Sequence, residues 1–151
     1  MHTNVRRYTV PTIASLAILA AGGGAAFART LPGLAGQAQA PADSQCFNNG
    51  NGSVWNTCAT PKGYCVALPV EAGTHHIQIS AKSPDAAHTM TCGAAAIDRF
   101  AVTTWTVPPH STQTPGFAEV IDLGSTSVVS FGSLFVCCSL PTNAQLFSID
   151  W

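Results

Sequence analysis

Six cysteines are the residues whose type and spacing indicate chemistry most directly in this sequence. All of them lie after residue 45, as Cys46, Cys58, Cys65, Cys92, Cys137 and Cys138. None has the Cys-x-x-Cys spacing that a zinc site favours. An even number of cysteines in a small exported chain is typical of a disulfide framework. The sequence therefore predicts disulfides throughout and no free thiol.

The pairing of these cysteines does not follow from their spacing, because six cysteines allow fifteen connectivities. One geometric constraint applies to Cys137 and Cys138, which are adjacent in an apparent strand. Adjacent side chains leave a strand on opposite faces. We therefore expect these two cysteines to serve two different bridges.

A metal-binding site is a second interpretation of the histidine, cysteine and methionine residues. The histidines His75, His76, His88 and His110 could bind copper or zinc, with Cys92 and Met90 as soft ligands. His75 and His76 would point to opposite faces of a strand, and Cys92 is better used in a bridge. We expect no metal and no cofactor.

Sequence motifs typical of catalytic sites are absent or unspecific. The chain has no Gly-x-Ser-x-Gly turn. The acids Asp98, Glu119, Asp122 and Asp150 could form a glycosidase pair, but their spacing does not select two of them. The sequence therefore predicts a protein that is not an enzyme.

Aromatic side chains offer a possible binding surface. Trp55, Tyr64 and Trp105, together with Trp151, could form a platform on which sugar rings stack. Aromatic residues in a small sandwich are more often part of the core. We favour the core and keep Trp55, Tyr64 and Trp105 as possible ligand-stacking residues.

The amino terminus indicates export. Arg6 and Arg7 precede an apolar run and an Ala-x-Ala ending at Ala28, the three-part pattern of a cleavable signal peptide. The apolar run is about half of the ~20 residues that a membrane helix needs, so we expect no transmembrane helix in the mature chain. A second cleavage site follows Ala40, although Pro41 fits it poorly. We expect a signal peptide at 1–28, a disordered spacer at 29–44 and a folded domain at 45–151, in a secreted or periplasmic protein.

The charge of the chain after the predicted signal peptide argues against nucleic acid as a partner. From Pro41 onward, three Lys and Arg residues stand against seven Asp and Glu residues, a net charge of −4 with neutral histidines. No basic stripe is present, so we expect no nucleic-acid partner. The many Val, Ile, Leu and Phe residues also argue against disorder.

Short alternating runs separated by turn residues dominate the body. They predict about nine strands in an all-β domain, an antiparallel β-sandwich of the jelly-roll or immunoglobulin-like kind. The last four runs should form consecutive hairpins with turns at Gly124-Ser125, Gly132-Ser133 and 141–143. Their core residues are expected to be Phe131, Phe135, Phe147, Ile149 and Trp151.

The carboxyl-terminal motif, Leu134-Phe-Val-Cys-Cys-Ser-Leu-Pro followed by a final alternating strand, resembles small exported proteins of environmental bacteria. So do Tyr64-Cys65-Val-Ala-Leu-Pro and Thr91-Cys92-Gly-Ala-Ala-Ala-Ile-Asp. The resemblance implies an exported β-sandwich without assigning an activity. In that family's pattern Cys58 and Cys137 look like an added pair. The resemblance thus suggests the bridges Cys46–Cys65, Cys92–Cys138 and Cys58–Cys137.

Two functional hypotheses follow. The first is an exported non-catalytic domain that binds or assembles with other envelope or secreted proteins. The alternative is a small secreted carbohydrate-binding or hydrolytic protein. An exposed row of Trp and Tyr would favour sugar, two close acids in a cleft would favour hydrolysis, and a contiguous apolar patch would favour assembly.

Overall fold

The computed structural model describes residues 29–151, and strands make up almost all of its regular structure. In chain order the strands are β1 Thr30–Pro32, β2 Gln37–Ala38, β3 Phe47–Gly50, β4 Ser53–Asn56, β5 Lys62–Leu68, β6 Gly73–Lys82, β7 Thr91–Ile97, β8 Thr103–Ser111, β9 Ala118–Val128, β10 Ser133–Leu140 and β11 Gln145–Asp150. The predicted signal peptide lies outside the described residues. Within residues 29–151 no helix is long and apolar enough to cross a bilayer.

The strands form two antiparallel sheets, which confirms the predicted sandwich. Sheet A has the order β3-β4-β11-β6-β9, with β1 also paired to β11, and sheet B has the order β2-β5-β10-β7-β8. The pairs β7–β8, β6–β9, β5–β10 and β4–β11 are nested along the chain, like one long hairpin folded over itself. This winding is a jelly roll, which decides between the two sandwiches expected from the sequence.

Alternation along each strand places one set of side chains between the sheets. In β5, for example, Tyr64, Val66 and Leu68 are buried, and the residues between them face outward. The central core also includes Ile77, Ile79, Leu123, Leu134, Val136, Leu140, Leu146 and Ile149. Each fully buried aliphatic side chain contributes roughly 1.5–3 kcal/mol, so this layer supplies the main non-covalent stabilisation.

Strand β9 replaces two predicted strands. A turn was expected at Gly124-Ser125, but Ala118–Val128 is continuous and pairs with β6 along its length. The register shifts by one residue between Ile77 and Gln78, and Gly124 opposite this shift has φ 86°. A β-bulge with a glycine at positive φ takes up the extra residue without reversing the chain. The predicted turn is therefore wrong.

The carboxyl-terminal strands are not consecutive hairpins either. Strands β9 and β11 belong to sheet A, whereas β10 lies in sheet B between β5 and β7. The connections cross from one sheet to the other, as the jelly-roll winding requires. Turns do occur near two of the predicted positions, with hydrogen bonds from Gly132 N to Val129 O (2.8 Å) and from Ala144 N to Pro141 O (3.0 Å). The turn residues thus predict where the chain reverses direction at these two positions, but they do not predict which strands pair.

Three of the phenylalanines expected in the core are misplaced. Phe131 is 80% exposed at a turn with φ 62°, and Phe135 lies half-buried on the outer face of sheet B. A register shift between Leu146 and Ser148 puts Phe147 out of the buried alternation, so that Leu146 faces the core in its place. Ile149 is buried as predicted. Trp151 packs against the core while partly buried, as expected for its end of the strand.

Residues 29–44, for which composition predicts a disordered spacer, form two short paired strands. β1 pairs with β11, and β2 pairs with β5. The backbones of Arg29 and Trp151 exchange two hydrogen bonds of 3.0 Å. Composition suggested disorder because the segment lacks a hydrophobic run. The exposed edges of β5 and β11 supply the backbone partners that order it.

All six cysteines form disulfides, and the structure corrects their pairing. The bridges are Cys46–Cys58, Cys65–Cys137 and Cys92–Cys138. The last of these is the predicted pair, and the other two predicted pairs, Cys46–Cys65 and Cys58–Cys137, are wrong. The register explains the outcome, because Cys137 lies directly opposite Cys65 and Cys138 directly opposite Cys92. The expectation that the adjacent cysteines serve different bridges is confirmed.

Candidate ligand-binding surface

The outer face of sheet B is built from small and uncharged side chains. Alternate residues of its three central strands point away from the core. They are Gly63, Cys65 and Ala67 of β5, Ser133, Phe135, Cys137 and Ser139 of β10, and Thr91, Gly93, Ala95 and Ile97 of β7. None of these residues is charged, and Phe135 is the single aromatic ring among them. We call this surface the neutral face.

The outer face of sheet A has the opposite character. It carries Lys82, which lies opposite Gln145 and Ala118, and it carries Asp122 and Asp150, which both lie opposite Gln78. His76 Nε2 also lies 3.2 Å from Asp122 Oδ1 on this sheet. The two faces of the sandwich therefore differ in charge, and an uncharged ligand meets the smaller desolvation cost on the neutral face.

A groove of about 420 Å³ crosses the neutral face beside β2. It is lined by Ala35, Gly36, Gln37, Ala38, Gln39, Cys65, Ala67 and Phe135. Its volume falls in the range of small-molecule sites, roughly 300–1,000 Å³. The groove offers one aromatic ring, the Cys65–Cys137 disulfide and two glutamine side chains. Amides donate and accept hydrogen bonds without carrying charge.

Close packing of the amino-terminal segment on β5 forms one wall of the groove. A Cβ on Gly36 would collide with the backbone oxygen of Cys65 and the ring of Tyr64, so only glycine fits there. Gln37 pairs with Cys65, and Gln39 N donates to Gly63 O at 2.8 Å. These backbone contacts hold both glutamines at the edge of the neutral face, where each is exposed.

Tyr64 belongs to the core and not to a ligand platform. Its side chain is almost fully buried, and its ring centroid lies 4.9 Å from that of Phe47. Burial raises the pKa of the Tyr64 hydroxyl, and a backbone hydrogen bond from Gly36 partly opposes this shift. This burial agrees with the core position favoured for the aromatic residues from the sequence, and it leaves Tyr64 out of the possible stacking residues.

The two tryptophans proposed with Tyr64 lie on different sheets. Trp55 is half-buried on β4 of sheet A, opposite Gln145. Trp105 is 58% exposed on β8, at the edge of sheet B. The structure therefore does not bring Trp55, Tyr64 and Trp105 together, and no flat row of exposed Trp and Tyr forms from them.

The acids and histidines serve local structure in the part of the chain that is described. Asp85 accepts hydrogen bonds from His88 Nδ1 and from two backbone N–H groups, and the His88 contact lowers the pKa of Asp85. Glu119 accepts from the backbone of Gln113 and Thr114. Within residues 29–151 no group of three or more His, Cys, Asp or Glu could hold a metal ion.

Known structures with this architecture include carbohydrate-binding modules. The carboxyl-terminal CBM6 of a laminarinase from Zobellia galactanivorans aligns with a TM-score of 0.53 and 10% identity, over 82% of this chain and 97% of that one. A GH26-CBM35 β-(1,4)-mannanase from Podospora anserina aligns with a TM-score of 0.52 and 7% identity, over 82% of this chain. This chain spans only 27% of the mannanase. At such identities the likeness shows a shared fold. No protein-family model and no curated protein sequence matches the chain.

Sequence reasoning missed the residues that line the groove. Gln37 and Gln39 lie in the segment for which composition predicts a spacer, and the sequence analysis places Phe135 in the core. One signal was available: 37–40 alternates polar and apolar residues as Gln-Ala-Gln-Ala, which is the period of a strand. The outward direction of Phe135 also follows from the alternation that buries Leu134 and Val136.

Proposed function

We propose that this protein is an exported, non-catalytic domain that binds neutral carbohydrate in the groove of the neutral face. The observation that carries this proposal is the composition of the groove, an aromatic ring beside two exposed amides on a face without charge. A sugar ring has an apolar C–H face that packs on an aromatic ring and hydroxyl groups that bond to amides. The fold shared with carbohydrate-binding modules is consistent with this use.

Affinity should be modest, because the groove offers one ring and is open to solvent. We expect dissociation constants on the order of 1 mM, about −4 kcal/mol. Weak binding of this kind is measured best by NMR titration of the ¹⁵N-labelled protein with neutral oligosaccharides, including β-1,4-mannan and laminarin fragments. Shift changes should concentrate at the amides of Gln37, Gln39 and Phe135.

A pair of phenylalanine variants tests the groove. Phe135→Ala should weaken binding roughly fivefold, because stacking on an aromatic ring contributes on the order of 1 kcal/mol. Phe117→Ala is the matched control, since Phe117 is 74% exposed and lies outside the groove. Equal losses in both variants, or no shift changes across the neutral panel, would argue against sugar binding in this groove.

Export is part of the proposal. The signal-peptide pattern, the resemblance to small exported bacterial proteins and the complete pairing of the cysteines support a secreted or periplasmic location. The cleavage site matters for the groove, since cleavage after Ala40 would remove β2 and with it Gln37 and Gln39. We propose cleavage after Ala28, so that the mature chain begins at Arg29. Amino-terminal sequencing of the exported protein checks this, and a start at Pro41 would contradict it.

Assembly with other envelope or secreted proteins, the first hypothesis from the sequence, remains a proposal. A contiguous apolar patch, the feature that favours assembly, lies on the β7–β8 and β9–β10 loops and shares no residue with the groove lining. Nothing in the acids or histidines favours hydrolysis, because their contacts hold loops and no two carboxylates face each other across the groove.

A further inference from the structure

Two loops at one end of the sandwich carry an exposed apolar patch. The β7–β8 loop contributes Arg99, Phe100 and Val102, and the β9–β10 loop contributes Val129 and Phe131. We call these five residues the aromatic tip. Phe100 is 72% exposed and Phe131 is 80% exposed, the latter being the highest value among the exposed large hydrophobic residues of the described chain. Side chains this exposed add little to folding, and a contiguous exposed apolar patch is a common feature of interaction sites.

Hydrogen bonds hold both loops in shape, and in the β9–β10 loop Gly132 N donates to Val129 O (2.8 Å). Oδ1 of Asp98 accepts from the N–H groups of Phe100 (2.8 Å) and Val102 (2.9 Å). Ala101 has φ 61° and Phe131 has φ 62°, a backbone region that residues other than glycine rarely occupy. Backbone strain of this kind recurs at functional sites. The loops therefore present their rings on a preformed support.

Arg99 joins the two rings. Its Cζ lies 4.9 Å from the ring centroid of Phe100 and 5.8 Å from that of Phe131, within cation–π range. Among residues 29–151 no carboxylate forms an ion pair with Arg99, and no hydrogen bond occupies its guanidinium. The N–H donors of Arg99 are free to bind an anionic group, and the planar fork of a guanidinium fits two phosphate oxygens.

The size and shape of the tip select the kind of partner. At roughly 200 Å² for each phenylalanine, the two exposed rings present about 300 Å² of apolar surface. A stable protein–protein interface buries about 800 Å² on each partner. A bilayer needs no such facing area, because aromatic side chains insert singly between lipid headgroups while a basic side chain reaches a phosphate.

We propose that the aromatic tip is a contact surface for the headgroup layer of a lipid bilayer. Phe100 and Phe131 enter the layer, and Arg99 binds a lipid phosphate. The described residues carry four Lys and Arg against seven Asp and Glu, a net charge of −3 with neutral histidines. Overall attraction to anionic lipid is therefore absent, and the contact rests on the tip itself. The tip shares no residue with the groove lining, so each proposal has its own variants and can fail without the other.

Co-sedimentation of the exported, processed protein with phosphatidylcholine vesicles tests this proposal. The wild-type protein should bind, and the double variant Phe100→Ser, Phe131→Ser should bind at least roughly tenfold more weakly. Phe117→Ser is the matched control, because it removes an equally exposed ring from the β8–β9 loop at the other end of the sandwich. It should bind like the wild-type protein. Circular dichroism should show that all variants are folded, since the replaced rings are exposed.

Arg99 is tested separately. Arg99→Gln should weaken vesicle binding several-fold, and Arg99→Lys should retain part of it, because lysine keeps the charge but loses the fork. Inorganic phosphate at millimolar concentration should not compete, since it lacks the apolar layer. The proposal is overturned if the wild-type protein does not bind vesicles, or if Phe117→Ser loses as much binding as the double variant. Self-association in solution that depends on Phe131 would instead assign the tip to a second copy of the chain.

Discussion

Replacement of Ile149 by alanine tests the packing of the last strand. Ile149 is fully buried on β11, opposite Ile79 of β6. The change removes three carbons, which at about 0.8 kcal/mol each amounts to about 2.4 kcal/mol of lost transfer free energy. The cavity left in a well-packed core adds about 1 kcal/mol. We expect Ile149→Ala to lower the free energy of unfolding by about 3–4 kcal/mol.

The informative comparison is with Phe147, two residues earlier. Simple alternation would make Phe147 a core residue equal to Ile149, but the register shift after Leu146 leaves it only partly buried. Phe147→Ala should therefore cost about 1–2 kcal/mol, less than the 3–5 kcal/mol of a fully buried phenylalanine. Val120→Ala is a control for strand propensity, because Val120 is exposed on β9 and its loss should cost under about 0.5 kcal/mol.

Urea unfolding with the disulfides intact measures these differences. With a slope of about 1.5 kcal/mol per molar, Ile149→Ala should move the midpoint by about 2 M at an unchanged slope. If Phe147→Ala moves the midpoint as far as Ile149→Ala, then the shifted register of β11 is wrong. Unequal slopes of the unfolding free energy against urea would show that the variants change the unfolded state. The free energies of unfolding would then have to be compared by calorimetry.

Two further predictions concern the disulfides and the buried tyrosine. Replacing the bridge Cys65–Cys137 by alanines, with 72 residues between its ends, should cost about 4 kcal/mol, against about 3 kcal/mol for Cys46–Cys58 with a separation of 12. The reverse order in urea unfolding would contradict the loop-entropy argument. Burial raises the pKa of Tyr64 above its usual 10.0, so the hydroxyl ionises more readily in the unfolded state. The stabilisation from keeping Tyr64 neutral is therefore fully present below pH 10 and is lost as the pH rises above about 10. Thermal unfolding of Tyr64→Phe should show a shallower alkaline decline, and identical profiles would refute this.

Local features of the fold could be predicted from the sequence because they depend on local physics. The alternation in β5 and β10 and the Asn-Gly turn of the β3–β4 hairpin follow from side-chain period and turn chemistry. The opposite faces of Cys137 and Cys138 follow in the same way. Each of these features needs information from only a few neighbouring residues.

Strand partners and bulges could not be predicted, because they depend on distant pairing. The runs of β9, β10 and β11 read as neighbours, but β10 pairs with β5, about 70 residues away in the chain. The same pairing fixes the bridge Cys65–Cys137, which spacing left open among fifteen connectivities. Bulges at Gly124 and near Phe147 shift the alternation by one residue, and a shift of one residue exchanges core and surface.

The assembly of the candidate site depends on these distant contacts, although local alternation indicates the direction of its side chains. Phe135 faces the groove because β10 lies in the middle of sheet B, and Gln37 reaches it because β2 pairs with the edge of β5. The charge difference between the sheets arises in the same way, since Asp122, Asp150 and Lys82 are brought onto one face by the register of β6, β9 and β11. The uncharged outer face of sheet B is therefore a property of the jelly-roll winding, and composition alone does not predict it.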